Sequence, residues 1–291
     1  MSDLSTPPPP VISVLLPVFN GCTTLKASLD SVLQQTYRNF EVLVIDDGSA
    51  DGSGDLARSL GDPRVRVIGN AERHGLAARL NEGIAAAQGH YLARMDADDL
   101  AFPDRFAKQV AFLDAHPDID LVGCRALVFD NKGEIIGLLP FAAQHEEICT
   151  APWRNIPLPH PTWMGRAAWF RHHKYAVPET KRAEDQELLL RSYATSRFAC
   201  LDEILLAYRQ NKFRLRPTLK ARGYLLAAQL HHFARRRQIK NALLALFLTT
   251  VKITLDLAAA LPLCDKLFFM RMKGCASAQT LEEFEQLKPK P

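Results

Sequence analysis

Five aspartates follow directly on short apolar runs: Asp46 and Asp47 after residues 40–45, and Asp96, Asp98 and Asp99 after residues 91–95. In extended chain, side chains two apart point the same way, so Asp96 and Asp98 project together and repel. A shared proton or a bound cation relieves such a pair. A hard divalent ion, Mg2+ or Mn2+, takes one or two carboxylates together with oxygens of a phosphorylated ligand, which makes Asp96-Ala97-Asp98 a candidate metal-diphosphate site. The structural alternative is an acidic turn in which Asp98 or Asp99 caps a helix that starts near Pro103. A further acidic pair, Glu184-Asp185, opens a helical pattern, where acids also complement the helix dipole.

The surrounding pattern says what must hold these acids. Residues 11–16 read as a strand buried on both faces and ended by Pro17. Apolar residues at helical spacing over 25–35 lead to a second strand over 40–45. A third round runs through 52–60 and 65–68, and a fourth through 76–87 and 91–95, with Gly89 as the helix stop. Strands alternating with helices predict a doubly wound α/β sheet whose ligand crevice lies outside the carboxyl ends of the strands, where the five aspartates fall. A helix is expected over 103–115, a hairpin from 121–129 and 134–138, and a helix over 183–196. Between them a proline-punctuated stretch carries Trp153, His160, Trp163 and Trp169, and could shape a second-substrate pocket. Taken singly, each tryptophan is better explained by core packing.

With 291 residues, 47% hydrophobic and 23% charged, the chain fits the soluble globular class. Six cysteines without paired short spacing indicate neither a zinc site nor a disulfide framework. The N-terminus lacks a basic patch followed by an apolar stretch, so a cytoplasmic location is expected. Charge is uneven. Residues 205–275 hold fourteen Lys or Arg against two Asp, a balance of +12 within a chain of net +4. By composition that segment suits nucleic acid or an anionic membrane surface. The apolar run over 241–263 is long enough to span a bilayer, but Lys252 and Asp256 interrupt it. An interfacial helix flanked by Arg235, Arg236, Arg237, Lys240, Lys266, Arg271 and Lys273, at the inner face of the cytoplasmic membrane, is one reading. A plain helical hairpin closing on the preceding domain is the other. The expected organisation is a Pro-rich tail (1–10), a catalytic domain (11–215), a basic apolar helical extension (216–276) and a polar, mobile tail (277–291).

Taken in order, Pro17-Val18-Phe19-Asn20, Asp46-Asp47-Gly48-Ser49, Asp96-Ala97-Asp98-Asp99, Pro103-Asp104-Arg105 and Glu184-Asp185 ahead of Leu188 and Arg191 resemble glycosyltransferase family 2. The resemblance covers residues 11–209 and leaves the basic extension unassigned. It implies a GT-A type fold, a Rossmann-like doubly wound mixed sheet, here with a C-terminal helical extension. It also implies inverting transfer from a nucleotide-diphosphate sugar to a glycan or lipid-linked acceptor, with Mn2+ or Mg2+ and no nucleic-acid partner. By the same resemblance Pro17, Val18 and Asn20 line the nucleotide site beside Asp46, and Asp47 accepts the N3 hydrogen of uracil. A carboxylate suits that donor, which favours a UDP-sugar without excluding guanosine. Asp96 meets the ribose or the metal's waters, Asp98 binds the metal, Ala97 lies between them, and Arg79 or Arg73 reaches the diphosphate. Asp185 is the implied general base, with Glu184, His160 and Trp163 on the acceptor side. After Asn20, Gly21-Cys22 lacks the acid that the family often carries there. Two competing readings are a nucleotidyltransferase, which would want a Gly-rich basic loop after the first strand, and a non-catalytic nucleotide-sugar-binding or membrane-associated protein. Sugar, acceptor and oligomeric state stay open.

Overall fold

The computed structural model describes residues 10–177, 182–210, 213–261, 272 and 274–288. The Pro-rich tail up to residue 9, together with Lys266, Arg271 and Lys273, lies outside them. The first half of the chain is wound as the alternation predicts: β1 (Ile12–Val18), α1 (Cys22–Leu33), β2 (Phe40–Asp47), α2 (Ser53–Ser59), β3 (Val65–Asn70), α3 (Leu76–Ala86) and β4 (Tyr91–Arg94). All four strands are parallel. Every residue of β1 is buried, as suits a strand covered by helices on both faces.

Pro17 does not end β1. The strand keeps its register with β2 as far as Val18↔Asp46, whereas its pairing with β4 stops at Leu15↔Arg94. In a parallel strand alternate residues face alternate neighbours. The amide that Pro17 lacks would face the β4 side, where the ladder has already ended.

The second half turns the sheet mixed. After β5 (Leu100–Ala101) and α4 (Arg105–Ala115) come the expected hairpin strands β6 (Leu121–Phe129) and β7 (Ile135–Leu138). Short α5 (His145–Ile148), β8 (Met164–Arg166), α6 (Ala167–His172), α7 (Glu184–Ser192) and the long β9 (Phe198–Arg209) follow. Among the described residues they form one nine-stranded sheet in the order β3-β2-β1-β4-β8-β6-β9-β5, with β7 on β6. The sequence pattern does not reveal β5, β8 and β9. β5 and β8 are two and three residues long. In β9 the alternation breaks at exposed Asp202-Glu203, where its register against β6 shifts around Arg125.

Helices α8 (Leu215–Arg235) and α9 (Ile239–Ala259) make up the extension. Phe233 and Ala245 are fully buried in the same cluster as Leu80, Ile84, Leu188 and Leu189, so the pair shares a core with α3 and α7. α9 has two unlike faces. Ala245, Thr249, Asp256 and Ala259 point inward, while Ile239, Leu243, Leu246, Phe247, Leu257 and Leu261, at the helix end, are exposed. Two threonines on the outer face donate their hydroxyls back along the helix, Thr250 Oγ1 to Leu246 O (3.0 Å) and Thr254 Oγ1 to Thr250 O (3.1 Å). By length and composition, α9 is the one helix among the described residues able to cross a membrane.

The polar tail is not featureless. Residues 278–287 form α10 (Ala278–Leu287), capped by Ser277 Oγ, which accepts from Thr280 N at 3.2 Å. Its Phe284 is fully buried, edge-on to Phe129 at 5.1 Å between ring centroids. This aromatic anchor docks a helix most of whose other residues are polar, with Leu287 packing partly buried against the same cluster. Phe284→Ala removes the kind of burial that costs about 3–5 kcal/mol in a core. The expected outcome is loss of hydrogen-exchange protection over 278–287 with the sheet amides unchanged. Retained protection there would mean that other contacts dock the helix.

Candidate active site

The strand order changes direction between β1 and β4, and the loops after these two strands open the crevice expected at such a switch point. A Cβ on Gly21 would lie 2.9 Å from Val18 Cγ2 and 3.8 Å from Ala97 Cβ, so the two loops touch. Pro17 and Val18, the last two residues of β1, are buried. Asn20, in the left-handed region with φ 51°, accepts at Oδ1 from Ala50 N (2.9 Å), and its own N–H donates to Ser49 Oγ (2.9 Å). Asp46 Oδ1 accepts from Ser49 N (2.9 Å). Asn20 and Asp46 therefore lock the loops after β1 and β2 together. Asp51 supplies the acid missing after Asn20: its Oδ2 accepts from Cys22 N (2.9 Å) at the start of α1.

Asp47 is buried at the start of α3. Its Oδ1 accepts from His74 N (2.7 Å), Gly75 N (3.1 Å) and Arg79 Nε (3.0 Å). Oδ2 accepts from Gly75 N (3.1 Å) and faces Arg73 Nε at 3.8 Å. Arg79 does not reach towards a diphosphate. Its side chain is 1% exposed and is engaged by Asp47, by Glu82 (2.7 Å) and by the carbonyl of Glu72. It orients Asp47. The exposed basic residue is Arg73, whose guanidinium lies 3.9 Å from the centre of the Phe19 ring.

Past β4 the carboxylates crowd. Asp96, Asp98 and Asp99 each offer an oxygen, all within 4.8 Å of one another. The helix-cap alternative fails, because Asp104 stands at the N-cap of α4 and Asp99 accepts from Arg209 N on β9 (2.8 Å). Burial, and then the neighbouring Asp96, pushes the Asp98 carboxyl up to about 6. Burial with Asp96 and Asp98 raises Asp99 well above the usual carboxylate range, and its buried Oδ2 has no hydrogen-bond partner. A cation would satisfy all three acids at once, so these residues fit a divalent metal.

Beneath them lies Arg94, 3% exposed, with Nη1 2.5 Å from Asp96 Oδ1 and no hydrogen-bond partner for Nε. Burial works against its charge, but Asp96, followed by Tyr175 and Asp99, holds it firmly protonated. The sequence pattern gave no sign of Arg94, which sits inside an apolar strand. Nor did it reveal the props beneath the acidic loop. On the buried face of α1, Ser28 Oγ donates to Asp96 O (2.9 Å) and Ser31 Oγ accepts from Ala101 N (3.0 Å); just past the helix, Gln35 Nε2 donates to Phe102 O (2.7 Å) and its Oε1 accepts from Phe106 N (3.0 Å). Fully buried Arg105 donates to Arg94 O (2.8 Å). Polar residues recurring on an otherwise apolar helix face were the available signal.

Across the crevice, Glu184 and Asp185 open α7 after Ala183, a non-glycine N-cap in the left-handed region with φ 59°. Backbone strain of this kind persists where surroundings hold it, and often beside functional groups. Burial and then Asp185 push Glu184 up to about 7, and burial raises Asp185 as well. Both carboxylates line a cleft of about 770 Å3 together with Arg94, Asp96, His160 and Tyr208. His160 Nε2 and the Tyr175 hydroxyl lie 2.7 Å apart, and burial and Arg94 keep the imidazole neutral. Trp163 does not reach the cleft. It is fully buried, with its indole N–H donating to Leu158 O (3.0 Å), and so packs the core.

The chain is similar to known proteins in both sequence and fold. The family model described as "Glycosyl transferase family 2" matches residues 13–175. EpsE of Bacillus subtilis (strain 168), named as a glycosyltransferase, is 38% identical over 189 residues, 63% of this chain and 67% of EpsE. A glycosyltransferase of Haemophilus influenzae is 31% identical over 69% of this chain and 65% of its own length. Among solved structures, S. aureus TarS in complex with UDP-GlcNAc matches with a TM-score of 0.58 at 18% identity, over 75% of this chain and 66% of that one. Mannosyltransferase PcManGT of Pyrobaculum calidifontis, in complex with GDP-Man and Mn2+, matches with a TM-score of 0.57 at 18% identity, over 90% and 79%. At that identity the structures speak for the fold alone: a GT-A fold, here carrying a C-terminal helical extension. The matched region holds the loops after β1, β2 and β4, and with it the chain belongs to glycosyltransferase family 2.

Proposed function

We propose that the protein moves a sugar from a nucleotide diphosphate, a UDP-sugar in preference, to a hydroxyl of a glycan or lipid-linked acceptor, with inversion. The observation that carries this reading is that Asp96, Glu184 and Asp185 line one cleft around buried Arg94. Residues 11–215 are the catalytic unit and 216–276 the extension. Donor binding is assigned to the β1, β2 and β4 loops. Asp47 Oδ2, which has fewer partners than Oδ1, accepts from the base, and Phe19 with Arg73 flanks it. The complexes named for TarS and PcManGT hold UDP-GlcNAc and GDP-Man, which supports a nucleotide-sugar donor. Asp98, with Asp96, holds Mn2+ or Mg2+, and the bound cation supplies Lewis-acid stabilisation of charge on the leaving diphosphate. Asp185 takes the proton of the acceptor hydroxyl as it attacks the anomeric carbon from the face opposite the diphosphate. An α-linked donor gives a β-linked product. Glu184 is the second reading for the base, because a carboxyl near 7 is well matched to neutral operation. The outer face of α9, with Arg235, Arg236, Arg237 and Lys240 at one end, rests on an anionic membrane surface.

Four outcomes are expected. UDP binding, measured calorimetrically, weakens when divalent cations are chelated, and Asp98→Ala abolishes that dependence. Equal affinity of the native protein with and without chelator would remove the metal from the reading.

Asp185→Asn keeps the side chain's shape but cannot accept a proton, so transfer falls by roughly 10² to 10⁴ while UDP affinity holds and Tm does not fall. If Asp185 only offsets the helix dipole, the change costs about 0.3–1 kcal/mol and turnover survives. Glu184→Gln carries a pH signature. The folded state raises this carboxyl from 4.5 to about 7, so its charge is penalised progressively above pH 4.5 and fully above about 7. The variant should therefore melt higher than the native protein at pH 8, with the gap closing towards pH 5. A larger loss of transfer in Glu184→Gln than in Asp185→Asn would give Glu184 the base's role.

Finally, the protein should sediment with anionic vesicles, less so as salt rises, since each surface Lys or Arg contributes about 1 kcal/mol. Leu243→Asp with Phe247→Asp should abolish sedimentation. Unchanged sedimentation would leave α9 as scaffold.

A further inference from the structure

The crevice does not end at the catalytic carboxylates. The same 770 Å3 cleft continues outward between the catalytic sheet and the inner faces of α8 and α9, and there its character changes. Its walls become apolar: Leu139 and Ile156 from the sheet domain, with Leu225, Ala259 and, exposed at the rim, Leu255 from the two helices. Among the described residues beyond Arg94, Asp96, Glu184 and Asp185, the lining carries Arg154, Arg222 and Lys252, three positive charges against the one negative charge of Asp256. Asp256 is 4% exposed and accepts from Arg222 at both oxygens, one contact being Nη2 to Oδ1 at 2.9 Å. A buried carboxylate bound at both oxygens leaves a net positive wall. Lys252 Nζ donates to Arg154 O (2.8 Å), which ties α9 to the loop and brings the two cationic side chains to the same end of the cleft.

We infer that this outer half is a binding site for an amphiphile bearing a phosphate or diphosphate, and hence that the acceptor is lipid-linked. The inference rests on the transfer reaction proposed above and names its acceptor class. A neutral glycan has no use for either feature. An anionic headgroup meets Arg154 and Lys252 by charge-assisted hydrogen bonds. Its alkyl chain lies along Leu225, Leu255 and Ala259, and its hydroxyl-bearing end points inward to Glu184 and Asp185. The opposite face of α9 is apolar along its length, with its threonine hydroxyls turned to the backbone. One helix thus borders both the cleft and the surface from which a lipid-borne substrate would enter.

The test uses farnesyl diphosphate, below its micellar concentration, titrated by calorimetry into the full chain saturated with UDP and Mn2+ so that the donor site is filled. Farnesyl diphosphate should bind saturably and at least tenfold more tightly than inorganic diphosphate or farnesol. Arg154→Ala with Lys252→Ala, and separately Leu255→Asp, should each weaken it at least tenfold. Inorganic diphosphate binding as tightly as farnesyl diphosphate would overturn the inference in favour of a phosphate-bearing glycan. Farnesol binding as tightly would reduce the site to an apolar groove, and insensitivity to both sets of substitutions would remove the site from this cleft. Saturation with UDP is itself measured first. UDP binding without farnesyl diphosphate binding sinks this inference alone, whereas failure to bind UDP sinks the transfer reaction.

Discussion

A single buried guanidinium amid two groups of carboxylates is the constraint on which the crevice depends. Arg94 is 3% exposed and is set between the acids that follow β4 and those that open α7. Removing one partner of such a buried charge typically costs 3–5 kcal/mol, because the survivor is left uncompensated. One cation cannot neutralise Asp96, Asp98, Asp99, Glu184 and Asp185 together. Proton uptake lessens the remaining cost, because burial raises Asp99 well above the usual carboxylate range and Glu184 to about 7. A site that is electrostatically incomplete alone favours whatever positive charge a ligand brings.

Much of this was legible in the sequence, and the reason is local. The β1 to β4 strands are short apolar runs closed by acids, and a buried parallel strand can hardly be written otherwise. Asp46, Asp47, Asp96 and Asp98 show their position because they interrupt that pattern. What stayed hidden depends on partners far along the chain. Gln35 looks like one more polar residue at a helix end until Phe102 and Phe106 are seen to need it. Arg79 looks like a phosphate ligand until Asp47 claims it. Trp163 sits among prolines in a loop-like stretch yet is fully buried, since burial follows from β4 and β6 closing over it rather than from its neighbours in sequence.

The extension shows the same limit. Composition marks it as basic and apolar but not which residue faces which way. In the fold, α9 divides its positions between an inner face that shares the core and walls the cleft, and an outer face of exposed aliphatic residues. The pair α8–α9 is thus part of the crevice's architecture and not a passive attachment to it.

The lock between the first two loops has a chemical side as well. Asn20-Gly21 is the dipeptide in which an asparagine side chain most readily cyclises onto the following amide nitrogen and is lost as aspartate or isoaspartate. Here the Gly21 N–H is held by Ser53 Oγ at 3.0 Å, and the Asn20 side-chain carbonyl by Ala50 N at 2.9 Å. Nucleophile and electrophile are pinned to different partners. The turn that shapes the crevice therefore also shields its most perishable bond from spontaneous ageing, for as long as the protein stays folded.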